Sequence, residues 1–329
     1  MDSFAEFSLE VARWLQSNYP QLEPIFGIFD IIGQFEFYLA FITLIYWCLN
    51  KDLGATLAYL LSFSNTFNSL IKHILRDPRP YWKEPDIGLS EETSYGVASG
   101  HAQNSTVLYG TIALWFRKIW VWILSIIMIL MMALSRIYLG VHDIEDVIAG
   151  IVVGLLILIA FSLWRSYGVD WFQNRILGQR LLIATSVPLA FMVIYIILLI
   201  VTKAPDEQVA WYQFSETAEI ASFENFTTGV SGLLGISIGL VLERSRVRFL
   251  VHGSIWKRVL RYIVGFVGLL ILWRGLGLIF PDEPLWLALP LRFLRYFLVS
   301  IWGIYYAPMV FTRLRLAEVA PEPDSSLTI

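Results

Sequence analysis

Residues 119–164 read IWVWILSIIMILMMALSRIYLGVHDIEDVIAGIVVGLLILIAFSLW. Two apolar runs, Ile119–Tyr138 and Ile144–Trp164, each approach the roughly 20 residues that a helix needs to cross a bilayer. Where they meet, the end of the first run, the joining stretch and the start of the second hold Arg136, His142, Asp143, Glu145 and Asp146. Charged groups are costly beside hydrocarbon, so side chains of this kind at span ends are expected to face a protein-lined cavity. The hairpin therefore sets both the fold class and the place to look for chemistry.

Further apolar runs lie on either side: Gln34–Leu49, Leu53–Leu75, Gly100–Phe116, Leu181–Val201, Phe226–Leu242, Tyr262–Phe280 and Leu285–Phe311. The expectation is an all-α polytopic membrane helix bundle of about nine spans. Leu53–Leu75 and Gly100–Phe116 are polar for spans, with Asn65, Asn68, Lys72 and His73 in one and His101, Gln103 and Asn104 in the other. Residues 4–18 read as an amphipathic helix, too short to span and suited to the membrane surface.

Composition agrees. Of 329 residues, 57% are hydrophobic and 16% charged, with mean hydropathy +0.64; soluble domains run at about 45–50% apolar and about 25% charged. Thirteen Trp, fifteen Tyr and twenty-two Phe suit rings placed at a membrane–water interface. Cys48 stands alone, which excludes a disulfide scaffold. A net charge of −3 argues against nucleic acid as a partner. Asp2, Glu6 and Glu10 stand where a secretory leader would carry basic residues.

The loops between spans sort into two alternating sets. Basic residues, among them Arg117, Lys118, Arg165, Arg244 and Arg258, fall in one; acidic ones, among them Asp30, Glu36, Glu92, Glu207 and Asp282, fall in the other. Lysine and arginine bias places the basic set in the cytoplasm. The acidic set is then expected in the periplasm or exterior of a bacterium, or an organelle lumen in a eukaryote.

Three polar clusters sit at acidic-side span ends: Lys72-His-Ile-Leu-Arg-Asp-Pro-Arg79-Pro80, Ala98-Ser99-Gly100-His101, and Ser135 to Asp146. Lys72, Arg79 and Arg136 bring three cations to one face, and guanidinium forks match phosphate oxygens. Ser99 and Gly100 precede a helix, whose free N–H groups make an anion site. His142 and Asp146 are four apart and share a helical face. A carboxylate on one imidazole nitrogen fixes the tautomer and frees the other nitrogen to attack. His101 supplies an imidazole for proton transfer to a leaving oxygen. Phosphoryl transfer through a phosphohistidine follows from this set. Metal ligation is the competing use of such residues, disfavoured because the cations would repel a divalent ion. Neither a metal nor a cofactor is expected.

The three blocks, Lys-x6-Arg-Pro, Ser-Gly-His and Ser-Arg-x5-His-x3-Asp, resemble in this order those of the type 2 phosphatidic acid phosphatase superfamily, whose members include lipid phosphate phosphatases and whose site the vanadium haloperoxidases share. The third block looks closest to the sphingosine phosphate and dolichyl pyrophosphate phosphatase branch. The resemblance covers about residues 53–160. It implies that Lys72, Arg79, Ser99, Gly100 and Arg136 bind the phosphoryl oxygens, that His142 is the nucleophile with Asp146 its partner, and that His101 is the general acid. The proline usual before Ser-Gly-His is Ala98 here. The family core has six helices, so Leu181–Val201 would complete it.

The domain reading is an N-terminal surface helix and loop (1–33), a phosphatase-like core (34–201), additional transmembrane helices (202–315) and a disordered tail (316–329). The function expected is hydrolysis of a lipid phosphomonoester or polyprenyl pyrophosphate in the bilayer, with a lipid phosphate as partner. Two alternatives stand beside it: a lipid phosphotransferase using the same phosphohistidine, and a non-catalytic lipid-binding or transport protein. His73, Arg76 and Asp77 read as solvated loop or as support for the site. Arg274, Arg292 and Arg295 read as snorkelling or pairing between helices, with a second anion site as the alternative.

Overall fold

The computed structural model describes residues 3–202 and 206–321, and among these the chain is helical with one isolated bridge, Phe249 to Val319. The first eight helices are α1 (Ser3–Asn18), α2 (Glu23–Ile32), α3 (Phe35–Leu44), α4 (Lys51–Leu75), α5 (Pro80–Lys83), α6 (Gly100–Phe116), α7 (Ile119–Tyr138) and α8 (Ile144–Leu163). Seven more follow: α9 (Val169–Gln173), α10 (Leu177–Val201), α11 (Ser215–Leu242), α12 (Ile255–Leu270), α13 (Leu276–Ile279), α14 (Leu285–Ile301) and α15 (Ala307–Arg313). Of the expected tail, residues 322–329 lie outside the described residues.

The span count differs from the sequence reading. Among the described residues, six helical stretches are long and apolar enough to cross a membrane: Ile119–Tyr138, Ile144–Gln173, Leu177–Val201, Tyr212–Val247, Ile255–Ile279 and Leu285–Arg313. The pair Pro20–Ile32 and Phe35–Leu49, bent by 62°, brings the number to at most seven. The two others of the expected nine are α4 and α6, which length and apolarity do not count among the spans: α6 has 17 residues and α4 is polar through its second half. Their polar side chains meet one another. Ser64 donates to Asn104 Oδ1 at 2.7 Å, and Asn68 Nδ2 donates to Gln103 Oε1 at 2.9 Å. Gln103 Nε2 donates to the Ser64 carbonyl at 2.8 Å. These groups satisfy one another inside the protein, as buried polar atoms must, and so do not need to be excluded from the two helices.

Contacts divide the chain into two compact units that interleave along the sequence. One comprises residues 1–38, 60–174 and 188–230 and holds all three polar clusters. In it α7 and α8 pack against α6, with α1 and α2 against α7. Gln16 of α1 donates to the carbonyls of Ile87 at 2.9 Å and Tyr138 at 2.7 Å, so the amphipathic helix is tied to the loops around the site. The approach of α8 to α6 depends on two glycines: a Cβ on Gly150 would lie 2.5 Å from the Ser99 carbonyl oxygen, and one on Gly154 would lie 2.7 Å from Thr106 Cβ. Small residues at this spacing let helices in a membrane approach closely. They hold the start of α6, with Ser99 and His101, close to the start of α8, with His142 and Asp146.

The other unit comprises residues 39–59, 175–187 and 231–329. Its core is built around Trp47, fully buried, whose indole donates to the Gly303 carbonyl at 2.8 Å. Buried Arg261 donates to the carbonyls of Trp47, Leu250, Val251 and His252. Buried Glu243 takes Lys51 Nζ at 2.7 Å and the Phe249 amide at 3.0 Å. Arg274 and Arg295 lie over the rings of Trp273 and Tyr296.

Overfilling a packed contact costs about 1–3 kcal/mol. Gly150→Leu is therefore expected to lower the melting temperature of the detergent-solubilised protein by several degrees. Gly178→Leu, where a Cβ meets nothing within 4 Å, should leave it within a degree. Equal effects in a thermal melt would contradict the role given to Gly150.

Candidate active site

α8 begins with a reciprocal cap in which the Asp143 side chain accepts the Asp146 amide and Asp146 Oδ2 accepts the Asp143 amide. This fixes the Asp146 carboxylate over the preceding turn, where it meets His142 Nδ1 at 3.0 Å. The other ring nitrogen, Nε2, lies 3.1 Å from Arg79 Nη1. A guanidinium can only donate, so Nε2 carries the lone pair and Nδ1–H donates to Asp146. Burial, followed by the positive charges of Arg79, Lys72 and Arg136, holds the imidazole well below its ordinary value. His142 is a neutral, oriented base with its lone pair on Nε2.

Arg79 follows α4 at the turn set by Pro78 and Pro80. It is fully buried. Its Nε donates to the Ser94 carbonyl at 2.5 Å, Nη1 to the Val141 carbonyl at 2.9 Å, and Nη2 to Ser94 Oγ at 3.1 Å and Glu92 Oε2 at 3.0 Å. Lys72, near the end of α4, donates to the Tyr95 carbonyl at 2.5 Å and to Ser94 Oγ at 3.1 Å. Arg136, at the end of α7 and also fully buried, donates through Nη1 to Asp30 Oδ1 at 2.6 Å. Its Nη2 is buried without a hydrogen-bond partner.

Ser99 is the N-cap of α6, its Oγ 3.5 Å from the Ala102 amide, and its own amide donates to the Asp146 carbonyl at 3.0 Å. Gly100 and His101 line a polar cavity of about 150 Å³ with Lys72 and Glu92. His101 Nδ1 lies 3.4 Å from Glu92 Oε1 and Nε2 lies 4.0 Å from Asp30 Oδ1. The eight expected residues thus gather in one unit, at the ends of α4, α6, α7 and α8, with Arg79 and Glu92 between the two imidazoles.

Sequence reasoning missed the two carboxylates at the centre. Asp30 and Glu92 count there only as acidic loop charges. Glu92 meets Arg79, His101 and Arg136, the last at 3.7 Å. Burial pushes its carboxyl up, but Arg79, His101, Lys72 and Arg136 together outweigh this and hold it at about 2. Asp30, Glu92 and His101 place donor atoms within 4.8 Å of one another, a spacing that by itself suits a metal ion. Both carboxylates already face guanidinium groups, whose charge opposes a divalent ion.

Of the residues between the signature positions, His73 and Arg76 take the second of their two expected roles, support for the site. His73 is buried, with Nδ1 3.1 Å from Ser222 Oγ. Arg76 pairs with Glu219 of α11 at 2.7 Å, and the Tyr95 hydroxyl donates to the same carboxylate at 2.7 Å. Because Tyr95 also offers its carbonyl to Lys72, the first half of α11 helps to hold the loop that aims the ammonium.

Residues 53–170 match the PAP2 superfamily, and residues 227–319 match the transmembrane extension of PAP2 superfamily phosphatases. Lipid phosphate phosphatase delta of Arabidopsis thaliana is 26% identical over 159 residues, 44% of this chain and 38% of that protein. Glucose-6-phosphatase catalytic subunit 1 of Rattus norvegicus is 27% identical over 322 residues, 84% of this chain and 86% of that protein. Sphingosine-1-phosphate phosphatase 2 of Homo sapiens is 27% identical over 163 residues, 47% and 40% of the respective chains. With its three ordered blocks, and with both the domain and its extension matched, the chain belongs to the PAP2 superfamily of phosphatases.

Proposed function

We propose that the protein hydrolyses a phosphate ester through a phosphohistidine on His142, without a metal. The observation that carries this reading is the state of His142: Nδ1 on Asp146, and a lone pair on Nε2 beside the Arg79 fork. In the first step Nε2 attacks phosphorus, the bond to the leaving oxygen breaks, and His101 gives that oxygen its proton. Arg79, Arg136, Lys72 and the helix start at Ser99–Gly100 stabilise the charge that spreads over the phosphoryl oxygens. In the second step water attacks the phosphohistidine, His101 takes its proton, the P–N bond breaks and phosphate leaves. The acidic loop charges support a site on the extracytoplasmic side.

A lipid phosphate is the first substrate class, as the names of the Arabidopsis and human relatives suggest for this chain. A specific observation favours a second reading, a phosphorylated polyol. The cavity beside the clamp is lined by Asn65, Asn68, Asn104 and Asn225 together with serines, and no aliphatic side chain lines it. Amides suit hydroxyl groups, whereas an acyl chain would leave them unpaired. The rat relative is named a glucose-6-phosphatase.

His142→Ala should reduce phosphate release from the purified protein by on the order of 10³-fold or more, while wild-type activity persists in chelator and is blocked by orthovanadate. Full activity in the variant, or strict metal dependence, would overturn the mechanism. Because His142 is held below its ordinary value, it stays neutral as the pH falls through about 6.5. The limb that His142 sets in kcat/KM, which reports the free enzyme, should therefore begin below that pH; an NMR titration of the His142 ring centred at or above it contradicts a neutral His142. A panel of lipid phosphates and sugar phosphates separates the two substrate readings. Release from sugar phosphates alone would favour the polyol reading, and release from lipid phosphates alone would exclude it.

A further inference from the structure

The phosphate clamp already contains an anion that belongs to the protein. Glu92 lies in the loop between α5 and α6. It accepts from Arg79 Nη2 at 3.0 Å, and its other oxygen lies 3.4 Å from His101 Nδ1 and 3.7 Å from Arg136 Nη1. A phosphoryl group attacked by His142 Nε2 must meet the same guanidinium group, because Arg79 Nη1 touches Nε2 while Nη2 of the same fork carries Glu92. Arg136 Nη2 and Glu92 Oε1 are both buried without hydrogen-bond partners, so the cluster is not saturated in this arrangement. An incoming phosphate could satisfy the first of these atoms directly.

Two fully buried guanidinium groups repel each other and would be costly with no anion between them. The carboxylate relieves that cost while the site holds no phosphate. Its Oε1 also faces the His101 ring, 3.4 Å from Nδ1, a looser approach than the 3.0 Å hydrogen bond between Asp146 and His142. The Tyr81 hydroxyl holds the backbone of Glu92, donating to its carbonyl at 2.7 Å and accepting its amide at 3.0 Å, so what has to move is the Glu92 side chain, which borders the cavity lined by Gly33 and His101.

Building on the clamp assigned above, we propose that Glu92 is a positioning residue, the resident counter-anion of the phosphate clamp. It holds Arg79, Arg136 and His101 in place between turnovers and yields Arg79 to the phosphoryl group on binding, keeping its contact with His101. Two consequences follow that oppose each other. Glu92 competes with phosphate for the guanidinium groups, so it weakens anion binding. It also orients the proton donor, so it assists departure of the leaving group.

Glu92→Gln keeps the shape and removes the charge. Direct binding of inorganic phosphate and orthovanadate to purified protein, by calorimetry and by the rise in melting temperature, is the test. The variant should bind both anions about tenfold more tightly than wild type, while kcat falls and Glu92→Asp restores wild-type anion affinity. Glu91→Gln, one position away and exposed, should change affinity less than twofold. If Glu92→Gln is unstable alone, phosphate should raise its melting temperature more than that of wild type, since the ligand replaces the missing charge. Unchanged or weaker anion binding, or instability that phosphate does not relieve, overturns the proposal. Failure of wild type to bind either anion would instead bring down the clamp on which the proposal rests.

Discussion

Repulsion between buried positive charges is the constraint that organises the site-bearing unit. Arg79 and Arg136 are fully buried and Lys72 nearly so, and no apolar environment tolerates such groups without compensation. The protein compensates in three ways. Backbone carbonyls at Ser94, Tyr95 and Val141 accept from Lys72 and Arg79. Asp30 and Glu92 supply negative charge. On the reading proposed above, the remaining capacity, including the Arg136 nitrogen without a hydrogen-bond partner, serves a ligand with several oxygens. A tetrahedral phosphate is the natural complement, and the neutral imidazole of His142 stands where it can attack one.

Much of this was legible in the sequence, because three of the clusters announce their chemistry by residue type and spacing. His142 and Asp146 at a separation of four, at the mouth of a long apolar run, predict a shared face, and the reciprocal cap with Asp143 shows how that face is made. Lys72 and Arg79 flank a helix end that Pro78 and Pro80 enforce. Ser-Gly-His before an apolar stretch predicts the start of α6, and Ser99 is its N-cap.

What escaped the sequence did so for identifiable reasons. Glu92 and Asp30 carry no local pattern; their importance comes from guanidinium groups that are distant along the chain. Glu219 lies 143 residues from Arg76, so its hold on the loop of Tyr95 is invisible without tertiary structure. The count of nine spans treated α4 and α6 as membrane helices with tolerated polar residues. In the structure those residues pair with one another, Ser64 with Asn104 and Asn68 with Gln103, and length and apolarity alone mark six other stretches as able to span.

The central claim is a covalent bond between phosphorus and the His142 imidazole. Rapid quenching of the enzyme with a phosphorus-labelled ester, followed by peptide mapping, tests it most directly. The account predicts label on the peptide containing His142, lost in acid and stable in base as a phosphoramidate is. Label on a carboxylate or hydroxyl side chain, or turnover with no covalent label at any quench time, would contradict it.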